Sequence, residues 1–344
     1  MRDPIVSVII VNWNGERYLE RCLTSVKKQT YQEIELIVVD NGSSDDSVEF
    51  IKRNYPEIQI IKNKRNLGFA EGNNIGIKAS RGKYIATLNN DTIAAPDWIE
   101  SLVNVAEKRK DIAMFASKIL SHNYWNLMES AGMLIYPDGI ARCRGYLKVD
   151  RGQYDKVEEI LLPSACAALY RKDAVFAAGL FDKDYFAYCE DTDLGLRIRM
   201  LGLGCLYVPD ARVYHHYSGT SKDISLFKVY LIERNRLWMI IKTFPLSQLI
   251  LSPVYTLIRY LFYIYGAILR IEPASEFCRK ESIIKIPFIL LWIYTFTLLN
   301  LPKIIKKRFQ VKRNKKIKDG DIINWFRRYR IGVRELTLYT EISS

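Results

Sequence analysis

Apolar positions in the N-terminal part of the chain fall in short blocks separated by polar, turn-forming stretches. Ile5–Val11, broken only by Ser7, predicts a buried strand ending at Asn12-Trp-Asn-Gly15. Arg17 to Gln29 then carries Leu19, Cys22, Leu23 and Val26 at helical spacing. The unit repeats: strand Glu35–Val39, polar loop Asp40-Asn-Gly-Ser-Ser-Asp, helix Ser47–Arg53, strand Ile58–Lys62, helix Gly72–Ser80, and strand Tyr84–Leu88 ending at Asn89-Asn-Asp-Thr. Strands alternating with helices predict an α/β fold with a doubly wound, mostly parallel, Rossmann-like sheet. The ligand crevice of such a sheet lies beyond the carboxyl ends of its strands, where each of these polar clusters falls.

From Ile112 to Val213 the pattern is mixed, with a short strand at Val157–Leu162 and a helix at Asp191–Leu201. After Ser221 it changes again: Phe227–Ile241 is helical with Arg234 and Arg236 interleaved, and Leu249–Ile271 and Ile283–Leu301 are long apolar stretches. The expected organisation is an α/β domain over 1–221 in two halves (about 1–110 and about 111–221, the second completing the cleft), a helical, apolar-rich region over 222–302 and a basic tail over 303–344.

Charge sharpens this picture. The chain of 344 residues carries a formal net charge of +13, from 51 Lys+Arg against 38 Asp+Glu, which suits phosphate-rich partners. Much of the excess sits late, from Lys303 to Lys318 and at Arg327, Arg328 and Arg330. The six cysteines (Cys22, Cys143, Cys166, Cys189, Cys205, Cys278) show no CxxC pair and no disulfide-like spacing, so a reducing cytosol is the expected compartment. The N-terminal apolar run reads as a strand rather than a signal peptide.

Four clusters could carry chemistry. Asp40, at a strand end, could accept from a base or ribose; the competing reading is a turn that caps the next helix. Asn89-Asn90-Asp91 reaches the same sheet edge, where a carboxylate could share Mg²⁺ or Mn²⁺ with a diphosphate, or merely cap the following helix. Glu190, Asp191 and Asp193 open a helix, a place that attracts acids in any case; crowding should raise at least one carboxyl pKa and make a general base. His215 and His216 point to opposite faces of a strand, so one of them could be a metal ligand. His122 is expected at the surface.

Val6-Ser-Val-Ile-Ile-Val-Asn-Trp-Asn-Gly15, Asp40-Asn-Gly-Ser-Ser-Asp, Asn66-Leu-Gly-Phe-Ala-Glu-Gly-Asn-Asn-Ile-Gly76, Leu88-Asn-Asn-Asp-Thr92 and Glu190-Asp-Thr-Asp-Leu-Gly-Leu-Arg197 resemble, in order and spacing, the family 2 glycosyltransferases. The rhamnosyltransferase-like branch is nearest in flavour. The resemblance covers about Val6 to Ser221 and implies a GT-A fold, a nucleotide-binding half fused to an acceptor half. It places Asp40 at the base or ribose, flanked by Val11 and Trp13, and Asp91 at the metal-binding end of the DXD element. Asn89 stands where many members have the first Asp, which weakens the site's charge and leaves open whether Asn89 or Asn90 meets the cation or the sugar. Asp191 matches the usual catalytic base, with Glu190 as the alternative. His215, in Val-Tyr-His-His-Tyr-Ser-Gly-Thr, matches a late metal-ligand position, and Asn66, Gly68 and Asn73 belong to the segment that lines the diphosphate and sugar.

The implied reaction is a single, inverting displacement from a nucleotide-diphosphate sugar, with dTDP-rhamnose as the suggested donor and a saccharide or lipid-linked acceptor. Leu249–Ile271 is long enough to span a bilayer, which takes about 20 residues. Arg259, at about +3 kcal/mol, offsets most of the gain from its apolar residues at roughly −0.3 to −0.6 kcal/mol each. Basic flanks around Ile286–Leu301 fit a helix lying in the interface of an anionic membrane, and the expected location is the cytoplasmic face of the cell membrane. A sugar nucleotidyltransferase should show a Gly-rich, basic phosphate loop after strand one, and Asn12-Trp-Asn-Gly15 is not one. A dehydrogenase should show G-x-G-x-x-G there. A non-enzymatic membrane or nucleic-acid binder using the basic tail would leave the acid and histidine clusters without a role, and no nucleic-acid partner is expected.

Overall fold

The structure, a computed structural model, describes residues 5–216, 225–271 and 285–338. The chain divides into two compact units. The first comprises Met1–Met133, Cys143–Arg199 and Leu203–Lys222; the second comprises Leu134–Arg142, Met200–Gly202 and Asp223–Ser344.

The first unit is built on strands β1 (Val6–Asn12), β2 (Ile34–Asp40), β3 (Gln59–Lys62), β4 (Tyr84–Asn89), β5 (Thr92–Ala94), β6 (Ile112–Ser121) and β7 (Met128–Ser130). After the short pair β8 (Met133–Ile135) and β9 (Ala141–Cys143), most of which falls in the second unit, the first unit continues with β10 (Glu158–Glu159), β11 (Ala167–Arg171) and β12 (Gly204–His215). The main sheet runs β10-β12-β6-β11-β4-β1-β2-β3. β3, β2, β1 and β4 are parallel neighbours, β6 and β12 are parallel to each other, and β11 runs against both β4 and β6. β1 is buried along almost its whole length (Val6, Val8, Ile9 and Ile10 at 0% exposure), which accounts for its near-continuous apolar run. Helices α1 (Glu16–Lys27), α2 (Ser47–Asn54), α3 (Gly68–Ala79), α4 (Trp98–Ala106), α5 (Lys172–Ala177) and α6 (Glu190–Met200) complete the unit. Leu19, Cys22, Leu23 and Val26 face the core from α1, as their spacing requires.

Two expected elements differ. α3 begins a full turn before Gly72, at Gly68, so Gly68 sits on the helix rather than on a loop before it. Of Val157–Leu162 only Glu158–Glu159 pairs with β12; Leu162 turns away and accepts from the Met133 N–H at 3.0 Å.

The second unit is helical: Leu226–Thr243, Leu246–Ile268, Lys285–Leu299, Leu301–Asn314, Asp319–Arg328 and Val333–Thr337. Leu246–Ile268 is the one described helix long and apolar enough to cross a membrane; Lys285–Leu299 and Leu301–Asn314 would make another only as one span bent by 65°. Polarity on Leu246–Ile268 is inside out. Leu246, Ile250, Val254, Leu257, Leu261, Ile264 and Ile268 are exposed, whereas Ser252, Thr256 and Arg259 are buried. Arg259 pairs with Asp138 at 2.7 Å and Glu233 at 2.8 Å, and Arg236 bonds Glu233 at 2.9 Å. Trp238 stacks on Phe296 and donates to Thr297 at 3.1 Å, joining Leu226–Thr243 to Lys285–Leu299.

Candidate active site

Three loops meet at the carboxyl ends of β1, β2 and β4. Asn12 joins them: its amide nitrogen donates to Asp40 at 3.3 Å and to Ser43 at 3.2 Å, and its amide oxygen accepts from Asn90 at 2.8 Å. A Cβ on Gly15 would lie 2.1 Å from the Asn90 amide nitrogen and 2.6 Å from the Asn12 amide oxygen, so a side chain there would displace the Asn12–Asn90 bond. Asp40 is buried, and its carboxylate accepts from Asn12, from the Ser43 hydroxyl at 2.5 Å, and from the N–H groups of Gly42 and Ser43 at 3.2 and 3.1 Å. These four donors fill the lone-pair directions of a carboxylate, so the turn-forming role of Asp40 is realised in full. Trp13 is 45% exposed at the rim, and Val11 packs beneath, where a Cβ on Gly72 would touch it.

Asn66 opens the next wall by accepting from the Gly68 N–H at 2.8 Å. Gly68 has φ +83°, and a Cβ would come within 2.4 Å of the Phe186 carbonyl oxygen. Asn73 is buried and donates to Phe69 within its own helix. Asn90 is likewise committed to Asn12, whereas Asn89 ends β4 with its side chain half-buried and its N–H donating to the Cys166 carbonyl at 2.9 Å.

Asp91 follows directly. β5 runs antiparallel to the end of β12, with Thr92 opposite His215. This register brings His215 Nε2 to 3.1 Å from Asp91 Oδ1, although 124 residues separate them. On the other side of the ring, His215 Nδ1 lies 2.6 Å from Glu129 Oε1 on β7. Cys166 Sγ is also hydrogen-bonded to His215, and Glu129, Cys166 and His215 place their donor atoms within 4.8 Å of one another. The ring sits among acids, and although burial alone would lower its pKa, these partners hold it well above the usual histidine range. His216 faces the other way and lies against His122, with ring centroids 3.7 Å apart and planes tilted by 36°. His122 is therefore half-buried rather than at the surface, and burial lowers its pKa. Tyr217-Ser-Gly-Thr of the late motif lies outside the described residues.

The acid cluster divides by role. Asp193 is fully buried, ion-paired with Arg197 at 2.7 Å, and accepts from the Tyr185 hydroxyl at 3.2 Å. Asp191 accepts from the N–H groups of Ala165 (3.3 Å) and Thr192 (2.6 Å). Glu190 is 7% exposed and its Oε2 has no hydrogen-bond partner. Burial, more than crowding, raises both: the Asp191 carboxyl lies above its ordinary value and that of Glu190 well above, the charge of Asp191 adding to the burial of Glu190. The turn that delivers them is strained, with Phe186, Tyr188 and Cys189 all at positive φ (64°, 70° and 64°). Asn12, Glu129 and Cys166 had no assigned role from sequence. Only Asn12, a polar residue closing a buried strand, carried a signal.

Residues 7–176 match the family model described as glycosyl transferase family 2. This segment, just under half of the chain, is similar to glycosyl transferase family 2. An uncharacterized glycosyltransferase of Haemophilus influenzae is 41% identical over 117 residues, covering 33% of this chain and 36% of that protein. The chain spans well under half the length of such curated relatives, 42% for the glycosyltransferase GlyG of Streptococcus pneumoniae, which is 33% identical over 38% of this chain. The structure of GalNAc-T7 with UDP, GalNAc and Mn²⁺ aligns over 70% of this chain and 48% of that one, with a TM-score of 0.57 at 19% identity. The segment over residues 7–176 thus lies in a GT-A fold.

Proposed function

We propose that the chain is an inverting, metal-dependent glycosyltransferase that moves a sugar from a nucleoside-diphosphate donor to a hydroxyl acceptor at an anionic membrane surface. The observation that carries the reading is the dipeptide Ala165-Cys166. Its first N–H holds Asp191, and its second residue is bonded to His215, which faces Asp91. A buried base and a carboxylate–imidazole pair are thereby kept on one framework.

Asp91 Oδ1 and His215 Nε2, an oxygen and a nitrogen donor converging on one point, fit Mg²⁺ or Mn²⁺. When bound there, the ion would neutralise charge on the departing diphosphate. Asp191 takes the acceptor proton as the acceptor oxygen bonds C1 and the C1–O bond to the diphosphate breaks on the opposite face, inverting C1. Its raised pKa makes it a stronger base than a solvated carboxylate, and the bonds from Ala165 and Thr192 aim it. Trp13 and Val11 flank the base, a ribose hydroxyl takes the place of Ser43 Oγ on Asp40, and Asn66, Gly68, Asn73, Asn89 and Asn90 shape the diphosphate and sugar wall. GalNAc-T7 with UDP and Mn²⁺ supports the metal-dependent donor site. The motif resemblance supports dTDP-rhamnose, with a saccharide or lipid-linked acceptor in cell-surface polysaccharide or glycolipid synthesis.

The inside-out polarity of Leu246–Ile268 supports membrane contact, because an exposed apolar stripe over a polar interior is costly in water. Phe288, Leu291, Trp292, Leu298 and Leu299 extend the exposed apolar surface of the second unit, and Lys303, Lys306, Lys307, Lys312 and Arg313 follow on Leu301–Asn314. The pair reads as an interfacial anchor on anionic lipid at the cytoplasmic face. Thermal unfolding with excess UDP, dTDP, GDP or CMP, each with and without Mn²⁺, tests the donor site. A ligand at 100 times its Kd adds about 2.7 kcal/mol, so one diphosphate should raise the midpoint by several degrees only with metal. No shift with any nucleotide refutes the reading.

A further inference from the structure

We infer that Glu129 is a positioning residue that fixes the His215 ring with Nδ1–H toward its own carboxylate, so that Nε2 is presented beside Asp91 to the divalent cation. The inference rests on the metal-dependent reading above. Both residues flank the end of β6. β7 runs antiparallel to it, with Met128 opposite Leu120 and Ser130 opposite Ile119, and β12 runs parallel to it, with His215 opposite Ser121. Met128 and Ser130 are buried, and strand alternation sends Glu129 to the other face. There it reaches the ring, with Oε1 at 2.6 Å from Nδ1.

An imidazole binds a metal through one nitrogen, and the partner of the other nitrogen decides which one is available. A carboxylate at Nδ1 is the common solution, because it fixes the tautomer and orientation and raises the basicity of the ligating nitrogen. Asp91 Oδ1, 3.1 Å from Nε2, marks the side on which the ion is needed. Glu129 contacts the ring from the far side, so it acts through His215 and does not meet the ion.

The test uses the full chain, its Glu129→Ala and Glu129→Gln variants, and Mn²⁺ alone, with affinity measured by electron paramagnetic resonance. Glu129→Ala should weaken Mn²⁺ about 10- to 100-fold. Glu129→Gln should recover most of that loss, because its amide oxygen still accepts from Nδ1–H. In the metal-free protein at alkaline pH, where the ring is neutral, ¹⁵N-histidine spectra should give a protonated Nδ1 for wild type and Gln, and a mixture of tautomers for Ala. Equal Mn²⁺ affinity in all three chains overturns the inference, as does a Gln variant as weak as Ala, which would make Glu129 a ligand in its own right. An unprotonated Nδ1 in the wild type overturns it as well. If Glu129→Ala does not fold, the wild-type and Gln spectra still decide. A wild type that binds no Mn²⁺, with or without a nucleoside diphosphate, refutes the metal-dependent reading instead.

Discussion

The Ala165 N–H donates to Asp191 Oδ2 at 3.3 Å, so the turn residue next to the His215 contact also orients the acid that opens α6. This link makes Asp191 the aimed carboxylate of the pair, because Glu190 has an oxygen with no partner. Asp191→Asn should therefore keep nucleotide binding and lose turnover by about 10²- to 10⁴-fold. Donor binding measured calorimetrically beside single-turnover sugar transfer separates the two effects. An active Asp191→Asn with an inactive Glu190→Gln would transfer the base role to Glu190.

The same pair sets a pH dependence of stability. Burial raises both carboxyl pKa values in the folded chain, Glu190 the more strongly. The contribution of such a group is fully present below its unfolded value, about 4.3 for Glu, and is lost as pH rises through the folded value. Above the unfolded value the buried Glu190 therefore costs stability. Glu190→Gln should melt above the wild type at pH 8, by about 2–4 °C per kcal/mol recovered in a domain of this size, and the gap should close near pH 4. A variant that melts lower at pH 8 would show that the charge is compensated.

Much of this arrangement can be read from the sequence because β1 to β4 are buried parallel strands whose apolar runs stop where their loops begin. α3 is misplaced because Gly68, Gly72 and Gly76 weaken its helical signal. They are there for space: a Cβ would meet Phe186, Val11 and Ile9 respectively. The pairings of β6 with β12 and β7 are long-range and irregular, with register shifts in both, and no local periodicity reports them. Glu129, on a three-residue strand, reaches its partner only through that register.

Gly68 gives a direct test of the donor wall. Its φ of +83° and the Phe186 carbonyl oxygen, 2.4 Å from where a Cβ would sit, both oppose a side chain. Gly68→Ala should cost about 1–3 kcal/mol of strain, seen as a lower urea midpoint, and should weaken nucleotide binding more than Asn73→Ala does. An unchanged midpoint would mean that the Phe186 turn yields freely.

In the second unit, Arg259 is where the membrane and core readings of Leu246–Ile268 part. It is 2% exposed and held by Asp138 and Glu233. Burial alone would raise the Glu233 carboxyl, but Arg259 and Arg236 overcome it and hold it down at about 2. Arg259→Met leaves two buried carboxylates with less compensation and should cost about 3–5 kcal/mol at pH 7, measured by denaturant unfolding. A depressed pKa stabilises above the unfolded value and loses that contribution as pH falls toward 2, so the variant and the wild type should converge between pH 4 and 2. If Arg259 instead faced lipid, Arg259→Met would remove an insertion penalty, leaving the fold intact and increasing recovery of the chain with vesicles. Loss of stability together with unchanged vesicle binding would place Arg259 in the core, and would leave the exposed stripe from Ile250 to Ile268 as the surface that meets the bilayer.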